Sequence, residues 1–221
     1  DPLVWLAFVA AATERLRIAT GILILPQRNP LVLAKELATL DQLSGGRLEL
    51  GVGVGWLEEE FDALGVPFAE RGPRTDDAID ILRKAWAADE VDHRSEFHTF
   101  SQVSVNPKPV RGSVPIHIGG HSTAAAKRAG RVGDGFFPGR GDRAAELIDI
   151  VRQTAADAGR DPRSIEITAP DPALFGPDPI GAVEAAAAVG IDRLIVPSFL
   201  HWRDPVESLT AFGESVIAPT S

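Results

Sequence analysis

Two kinds of hydrophobic pattern alternate along most of this chain. Short apolar runs with a period of two, clearest where Leu48, Leu50, Val52 and Val54 alternate with Glu49 and glycines, predict strands. Longer runs with a helical period and typical start and stop residues predict helices. Strands are predicted at 16–25, 48–55, 115–118, 135–138, 164–168 and 192–197, and helices at 3–14, 31–43, 74–88, 123–132, 142–158, 179–189 and 205–217. Strand followed by helix, repeated in this way, indicates a parallel α/β protein.

The number of strand–helix units narrows the fold class. Six strands are each followed by a helix, and one further helix precedes the first strand. A doubly wound six-stranded sheet fits this count. A TIM-type (β/α)8 barrel that is N-terminally incomplete, with about six of its eight strands and about 60–70 residues absent, fits it better because of the leading helix. We expect one domain over residues 1–221, with an insertion near 90–112 that reads as a hairpin.

Composition excludes several classes of partner. The 221 residues carry 22 basic and 31 acidic side chains, for a net charge of −9, which argues against nucleic acids and anionic membranes as partners. The absence of cysteine excludes disulfides and thiol chemistry, and it suits a cytoplasmic location. No apolar stretch reaches the length of a membrane span.

A glycine pair at the junction of a strand and a helix is the first candidate site. The run Pro115–Ile118 ends on Gly119, Gly120, His121 and Ser122, and a helix opens at once. Glycines admit a ligand to the backbone, and unpaired N–H groups with the positive end of the helix dipole attract an anion. The alternative is a tight turn in which Ser122 is an ordinary N-cap. Gly139 and Arg140 form a second pliable turn, where the arginine pairs with a phosphate or is a solvated loop charge.

Three glycines share one face of the strand at 48–55. Gly51, Gly53 and Gly55 leave an open floor against which a planar ring could lie. The alternative is close packing of another element, which glycine in a strand often marks. The spacing lacks the third glycine of the dinucleotide-binding fingerprint.

Titratable residues give weaker signals. Glu59, in the acidic stretch after this strand, is a candidate for proton transfer, although an acidic first turn is also ordinary helix N-terminal chemistry. The histidines show no metal-ligand spacing, so we expect no metal site.

Several motifs taken together resemble one family. Residues 19–72, with NPKPV at 106–110, PIHIGGHS at 115–122 and AGRVGDGFFP at 129–138, closely resemble the luciferase-like monooxygenases. Within them the sequence is most similar to the actinobacterial branch that uses the deazaflavin coenzyme F420. The resemblance implies a TIM-type barrel of the bacterial luciferase-like kind, without its first two βα units, that moves a hydride between F420 and an unidentified organic substrate. FMN is the alternative cofactor, in a monooxygenase, and a non-catalytic or inactive truncated relative is the other alternative.

The resemblance also implies roles for individual residues. His121 and Ser122, entered through Gly119 and Gly120, would donate backbone N–H groups to the cofactor phosphate. The other implied cofactor-binding residues back the ring, run beside it or close the phosphate site: Thr20, Gly21, Ile22, Gly53, Gly55, Gly139 and Arg140. A bulge or a non-prolyl cis peptide is implied at Gly21–Ile22. Trp56 stands where some relatives have a proton-donating glutamate, so Glu59 is kept only as a neighbouring candidate. The expected partner is a small-molecule substrate, and a homodimer is one option for assembly.

Overall fold

The computed structural model describes residues 1–139, 143–201 and 203–220, and two compact units are present within them. Unit 1 is Asp1–Gly119 with Val132–Asp134, and unit 2 is Gly120–Arg131 with Gly135–Ser221. The expectation of a single domain over 1–221 stays a prediction. Each unit is described by itself.

The helices of unit 1 begin and end where local chemistry allows. They are α1 (Pro2–Ala12), α2 (Pro30–Ser44), α3 (Glu58–Leu64) and α4 (Arg71–Ala87), with short 3-10 turns at Leu25–Gln27 and Phe68–Glu70. The carboxylate of Asp1 accepts from the Leu3 amide at 2.8 Å, and the Asn29 side chain accepts from Leu31 at 3.0 Å. Helix α2 ends at Gly45 in the left-handed conformation, φ 68°. The predicted helices of this unit are therefore confirmed, with α3 added.

Parallel strands of unit 1 pair around one central strand. β1 (Ile18–Ala19) and β2 (Leu23–Ile24) both pair with β3 (Leu48–Gly53), which pairs on its other side with β6 (Ile116–Gly119). All six residues of β3 are buried. The predicted insertion contains an antiparallel hairpin, β4 (Val91–Arg94) and β5 (Thr99–Val103).

The single strand predicted at 16–25 is wrong in one respect, because it is two short strands separated by a bulge. Ile18 is opposite Leu48, but Leu23 is opposite Val52, so the first strand has one residue more than its partner between the two pairs. The Gly21–Ile22 peptide bond within this interruption is cis. Both features lie where the family resemblance implied them.

Unit 2 continues the alternation of strands and helices. Its strands β7 (Gly135–Phe137), β8 (Glu166–Pro170) and β9 (Arg193–Ile195) pair in parallel in that order. Its helices are α5 (Thr123–Val132), α6 (Ala144–Asp157), α7 (Pro179–Ala188), α8 (Pro205–Phe212) and α9 (Ala218–Thr220). Short 3-10 turns cover Pro162–Ser164, Pro172–Phe175 and Ser198–His201. The helix predicted at 205–217 is α-helical only to Phe212 and continues as a π-turn over Gly213–Ile217.

Apolar side chains on the strands and the facing helices form the core. Leu50 and Val52 of β3, Leu33 and Leu37 of α2, and Ile81 of α4 have no exposed surface. None of the helices in the described residues is long and apolar enough to cross a membrane.

Candidate functional site

The bulge places Ile22 over three strand glycines of unit 1. The buried Thr20 hydroxyl donates to the Gly51 carbonyl at 2.7 Å and holds the bulge against β3. A methyl group on Gly53 would overlap Cδ1 of Ile22, and one on Gly119 would lie 2.9 Å from its Cγ2. The open glycine floor that the sequence predicted is therefore wrong, because the chain's own Ile22 occupies it. Ile22 keeps 39% of its surface exposed, so its outer side is the apolar surface that this segment offers a ligand.

Gly21 and Gly55 have different surroundings. A Cβ on Gly21 would meet no atom within 4 Å, so this position is open. Gly55 has φ +82°, and a Cβ there would lie 2.7 Å from the Phe61 ring and 2.9 Å from Cγ2 of Ile24. Gly55 thus allows close packing on Phe61, and its proposed place beside a cofactor ring stays a prediction.

The start of α5 in unit 2 combines an N-cap with open amide donors. The Ser122 hydroxyl accepts from the Ala125 amide at 3.2 Å, so Ser122 is the N-cap. Gly120 has φ +144° and donates its N–H to the Phe137 carbonyl at 3.0 Å. The exposed His121 and Ser122 have backbone N–H groups with no acceptor among the described residues. The N-cap interpretation is therefore confirmed. Because the cap uses the Ser122 hydroxyl and leaves its amide open, an anion site at the same turn stays a prediction.

Gly139 and an arginine that the sequence reasoning missed lie near this helix start. A Cβ on Gly139, where φ is +72°, would lie 3.8 Å from Cβ of His121. Arg140 lies outside the described residues. Arg143 donates from Nη2 to the Thr123 hydroxyl at 3.5 Å and to Glu146 at 2.7 Å. The signal for it was a second arginine at the start of the next helix, three residues after Arg140.

Arg143, near the start of α5, is paired with a carboxylate. Its guanidinium donates to Glu146 twice, from Nε to Oε2 at 2.9 Å and from Nη2 to Oε1 at 2.7 Å. The hydrogen bond from Arg143, more than the charge attraction, lowers the pKa of Glu146, and the same contact raises the pKa of Arg143. The guanidinium stays charged and lies beside the positive end of α5. An anion at the start of this helix would meet backbone N–H groups and an arginine that it shares with Glu146.

Glu59 lies in the exposed first turn of α3. All three glutamates of this turn are exposed, and Glu60 accepts from Gln27 at 3.2 Å. The Glu59 carboxylate has no hydrogen bond or ion pair within the part of the chain that the structure describes. Its suggested part in proton transfer stays a prediction.

One buried and two half-buried histidines of unit 1 pair with carboxylates. Asp77 accepts from His93 at 2.8 Å and from His98 at 2.7 Å, and this contact fastens the hairpin to α4. Nε2 of His117, on β6, lies 3.5 Å from the buried carboxylate of Glu49, so this histidine has a polar partner inside unit 1.

Comparison with known proteins identifies related sequences. The family model described as luciferase-like monooxygenase matches residues 1–207. An uncharacterized protein of Mycobacterium tuberculosis is 33% identical over 221 residues, covering 96% of this chain and 75% of its own length. The F420-dependent glucose-6-phosphate dehydrogenase of Mycolicibacterium fortuitum is 34% identical over 192 residues, covering 82% of this chain. The chain spans 56% of that dehydrogenase.

Solved structures share the fold. The monooxygenase RslO1 from Streptomyces bottropensis is 29% identical, with a TM-score of 0.70 over 86% of this chain and 59% of its own. An F420-dependent secondary alcohol dehydrogenase, solved with an F420-acetone adduct, is 21% identical, with a TM-score of 0.74 over 88% of this chain and 77% of its own. The α/β class and the luciferase-like barrel fold expected from the sequence are confirmed.

Proposed function

The chain belongs to the luciferase-like monooxygenase family, and from that premise we propose that it is an oxidoreductase that binds coenzyme F420 and transfers a hydride between this cofactor and an organic substrate. The observation that carries the proposal is the start of α5. There, glycine-flanked backbone N–H groups lie open beside a charged arginine. When bound, the deazaflavin ring supplies the carbon that accepts or donates the hydride, and the protein supplies binding and electrostatics.

The residues at the start of α5 fit a phosphate group. The amides of His121 and Ser122 have no acceptor within the described chain, and the N-cap bond uses the Ser122 hydroxyl and not its amide. Arg143 adds a cation near Thr123, the first residue of α5. Backbone donors, the helix dipole and a guanidinium together are a typical phosphate site.

The bulge of unit 1 supports the ring in the proposal. Ile22 offers an exposed apolar surface, and the glycines beneath it leave the space that its side chain occupies, because a side chain at Gly53 or Gly119 would displace it. The Thr20 hydroxyl fixes the backbone of the bulge to β3. A flat apolar ring would therefore lie on Ile22 rather than on the glycines.

The choice of F420 over FMN rests on sequence similarity. Both cofactors carry a phosphate, so the helix start by itself suits either. The 34% identity with an F420-dependent dehydrogenase supports F420. The 29% identity with the monooxygenase RslO1 is the observation that favours monooxygenase activity, the second candidate, for which FMN is the alternative cofactor.

Hydride transfer to or from an oxygen-bearing carbon also moves a proton at the substrate oxygen. Glu59 is the residue that we propose for that proton. Its carboxylate is exposed and has no partner among the described side chains, so it is free to contact a substrate hydroxyl.

A titration of both cofactors tests the proposal. We expect the chain to quench the fluorescence of F420 with a dissociation constant at least about tenfold below that for FMN, a difference of about 1.4 kcal/mol. Tighter binding of FMN would replace the proposal with the second candidate. Binding of neither cofactor would leave a non-catalytic relative as the better description.

A further inference from the structure

An apolar pocket of unit 2 lies at the carboxyl ends of two paired strands. Pro170 is the last residue of β8 and Ile195 the last of β9, and the two are opposite each other in the parallel ladder. They form the floor of a cavity of about 180 Å³. Parallel α/β barrels bind their substrates at this end of the strands.

The walls of this pocket are rigid and carry little polar surface. Two prolines, Pro172 and Pro197, line it together with the rings of Phe175 and Phe199. Phe175 stacks on Phe212, with ring centroids 6.4 Å apart, and this contact limits its rotation. Prolines keep the backbone of a wall fixed before a ligand arrives, which lowers the entropy cost of binding.

Asp171 is the one carboxylate among the described residues that line the pocket, and it already accepts a hydrogen bond. Asp171 accepts from the Ala173 amide at 2.8 Å, and so it caps the turn after β8. No lysine, arginine or histidine is among the described residues that line the cavity. A phosphate or carboxylate of a substrate would find no cation here, and a sugar would find few hydrogen-bond partners.

We propose that this pocket, which we call the β8–β9 pocket, receives the hydrocarbon part of the substrate, a single six-membered ring or a branched alkyl group. An apolar cavity of about 150 Å³ is large enough for one benzene molecule, so a cavity of this size holds one such group and no more. Phe199 is 55% exposed and Phe175 is 42% exposed, so both rings that line the pocket are accessible to a ligand. The inference rests on the proposed function, and it adds a substrate class that differs from sugar phosphates.

Ligand-observed NMR with benzyl alcohol tests this inference without requiring turnover. Saturation transfer to benzyl alcohol is measured on the full chain, first without cofactor and then with F420 present, and glucose 6-phosphate serves as the polar comparison. We expect benzyl alcohol to bind and Phe199→Ala and Phe175→Ala each to weaken it at least about fivefold, because each removes one ring contact. Phe8→Ala is the control, since Phe8 is a ring on α1 that is 77% exposed, more than either pocket ring, and lies outside the pocket.

The outcomes separate this inference from the proposed function. Benzyl alcohol binding that responds to Phe199 but not to Phe8 supports the β8–β9 pocket, whether or not F420 binds. If F420 does not bind, the proposed function is contradicted and the assignment of the β8–β9 pocket is unaffected. The pocket assignment is overturned if benzyl alcohol shows no saturation transfer, or if Phe8→Ala and Phe199→Ala change its binding equally. Neither outcome bears on F420 binding, which the cofactor titration tests separately.

Discussion

The side chain of Ile22 lies directly over Cα of Gly53, in the space that any side chain at position 53 would need. The bulge between β1 and β2 brings these two residues together, although the register partner of Gly53 in the ladder is Ile24 and not Ile22. Ile22 is thereby held with its outer surface exposed. Single apolar residues exposed on a sheet are common. Ile22 differs because glycines of two strands, β3 and β6, leave the space in which its side chain packs.

The contact predicts a coupling between the two positions. Gly53→Ala should lower the free energy of unfolding by about 0.5–1.5 kcal/mol, because the methyl group overlaps Cδ1 of Ile22 and forces this partly exposed side chain out of its present rotamer. Ile22 supplies every atom that a Cβ at position 53 would meet within 4 Å. In the Ile22→Ala background the same substitution should therefore cost less than about 0.5 kcal/mol.

Chemical denaturation of the four proteins in this double-mutant cycle measures the coupling. Gly213→Ala is the control, since a Cβ there meets nothing within 4 Å and the backbone is helical, with φ −58°. It should be neutral or stabilising by about 0.4–1 kcal/mol. An unchanged cost of Gly53→Ala in the Ile22→Ala background would falsify the assignment of the contact.

The start of α5 predicts that phosphate binding depends on a backbone amide. The N–H of Thr123, the first residue of α5, has no acceptor among the described residues, as is the case for His121 and Ser122. Thr123→Pro removes this N–H at a helical position where proline is well tolerated, so the helix should form normally. Arg143→Gln removes the neighbouring cation. Each should weaken the binding of F420 and of inorganic phosphate at least about tenfold, the effect of one lost hydrogen bond to a charged group. Isothermal titration calorimetry measures both ligands.

Two controls accompany these variants. Arg163→Gln makes the same change of charge at a side chain that is 90% exposed, and it should leave phosphate binding unchanged. Ser122→Ala removes the N-cap hydroxyl but keeps the amide, so it should reduce stability more than affinity. Equal affinities for Arg143→Gln and Arg163→Gln would exclude Arg143 from the phosphate site.

The proposed role of Glu59 predicts that substitutions of Glu59 and of its neighbour Glu58 have different effects on kcat. Glu59→Gln should lower kcat for F420-dependent turnover by at least about 100-fold, the contribution of one proton-transfer group, and leave the dissociation constant for F420 unchanged. Glu58→Gln is the matched control in the same exposed turn and should keep full kcat. Equal rates for the two variants would assign both carboxylates to the helix N-terminus instead. Stopped-flow measurement of F420 reduction separates chemistry from binding.

The lowered pKa of Asp77 predicts that the protein loses stability at acid pH. Burial works to raise the pKa of Asp77, but hydrogen bonds from His98 and His93 outweigh it and hold the pKa below its ordinary value of 3.8. The unfolded chain then binds a proton that the folded chain does not, so stability is lost as pH falls from about 4 through the lowered pKa. Asp77→Asn should show a shallower decline in the free energy of unfolding over this acid range.

The same variant should cost about 1–3 kcal/mol at neutral pH, because the buried His93 loses its carboxylate partner. Asp149→Asn, at an exposed position on α6, is the control and should keep the wild-type decline. Asp92 also has a lowered pKa, caused by hydrogen bonds from the Ser101 hydroxyl and the Gln102 amide, so part of the decline persists in Asp77→Asn. Identical pH profiles for Asp77→Asn and Asp149→Asn would contradict the assignment to Asp77.

The sequence determined much of the fold, because helix caps and strand periodicity depend on residues that are close together in the chain. Helix α5 occupies residues 123–132 as predicted, since a serine N-cap needs only an amide three residues away. The strand at β3 and the hairpin at β4 and β5 also follow from patterns within a few residues of each other. Alternation of such elements is enough to indicate the parallel α/β class.

Only the tertiary structure decided what the glycines and the strand ends do. Periodicity treats residues 16–25 as one strand, because an extra residue in a ladder shows only against its partner strand. The glycines of β3 read as an open floor until Ile22, about thirty residues earlier, is placed on them. Arg143 comes beside Thr123, and Pro170 beside Ile195, by chain folding alone. These pairs are distant in sequence, and a hydrophobic pattern contains no information on which distant residues share a contact.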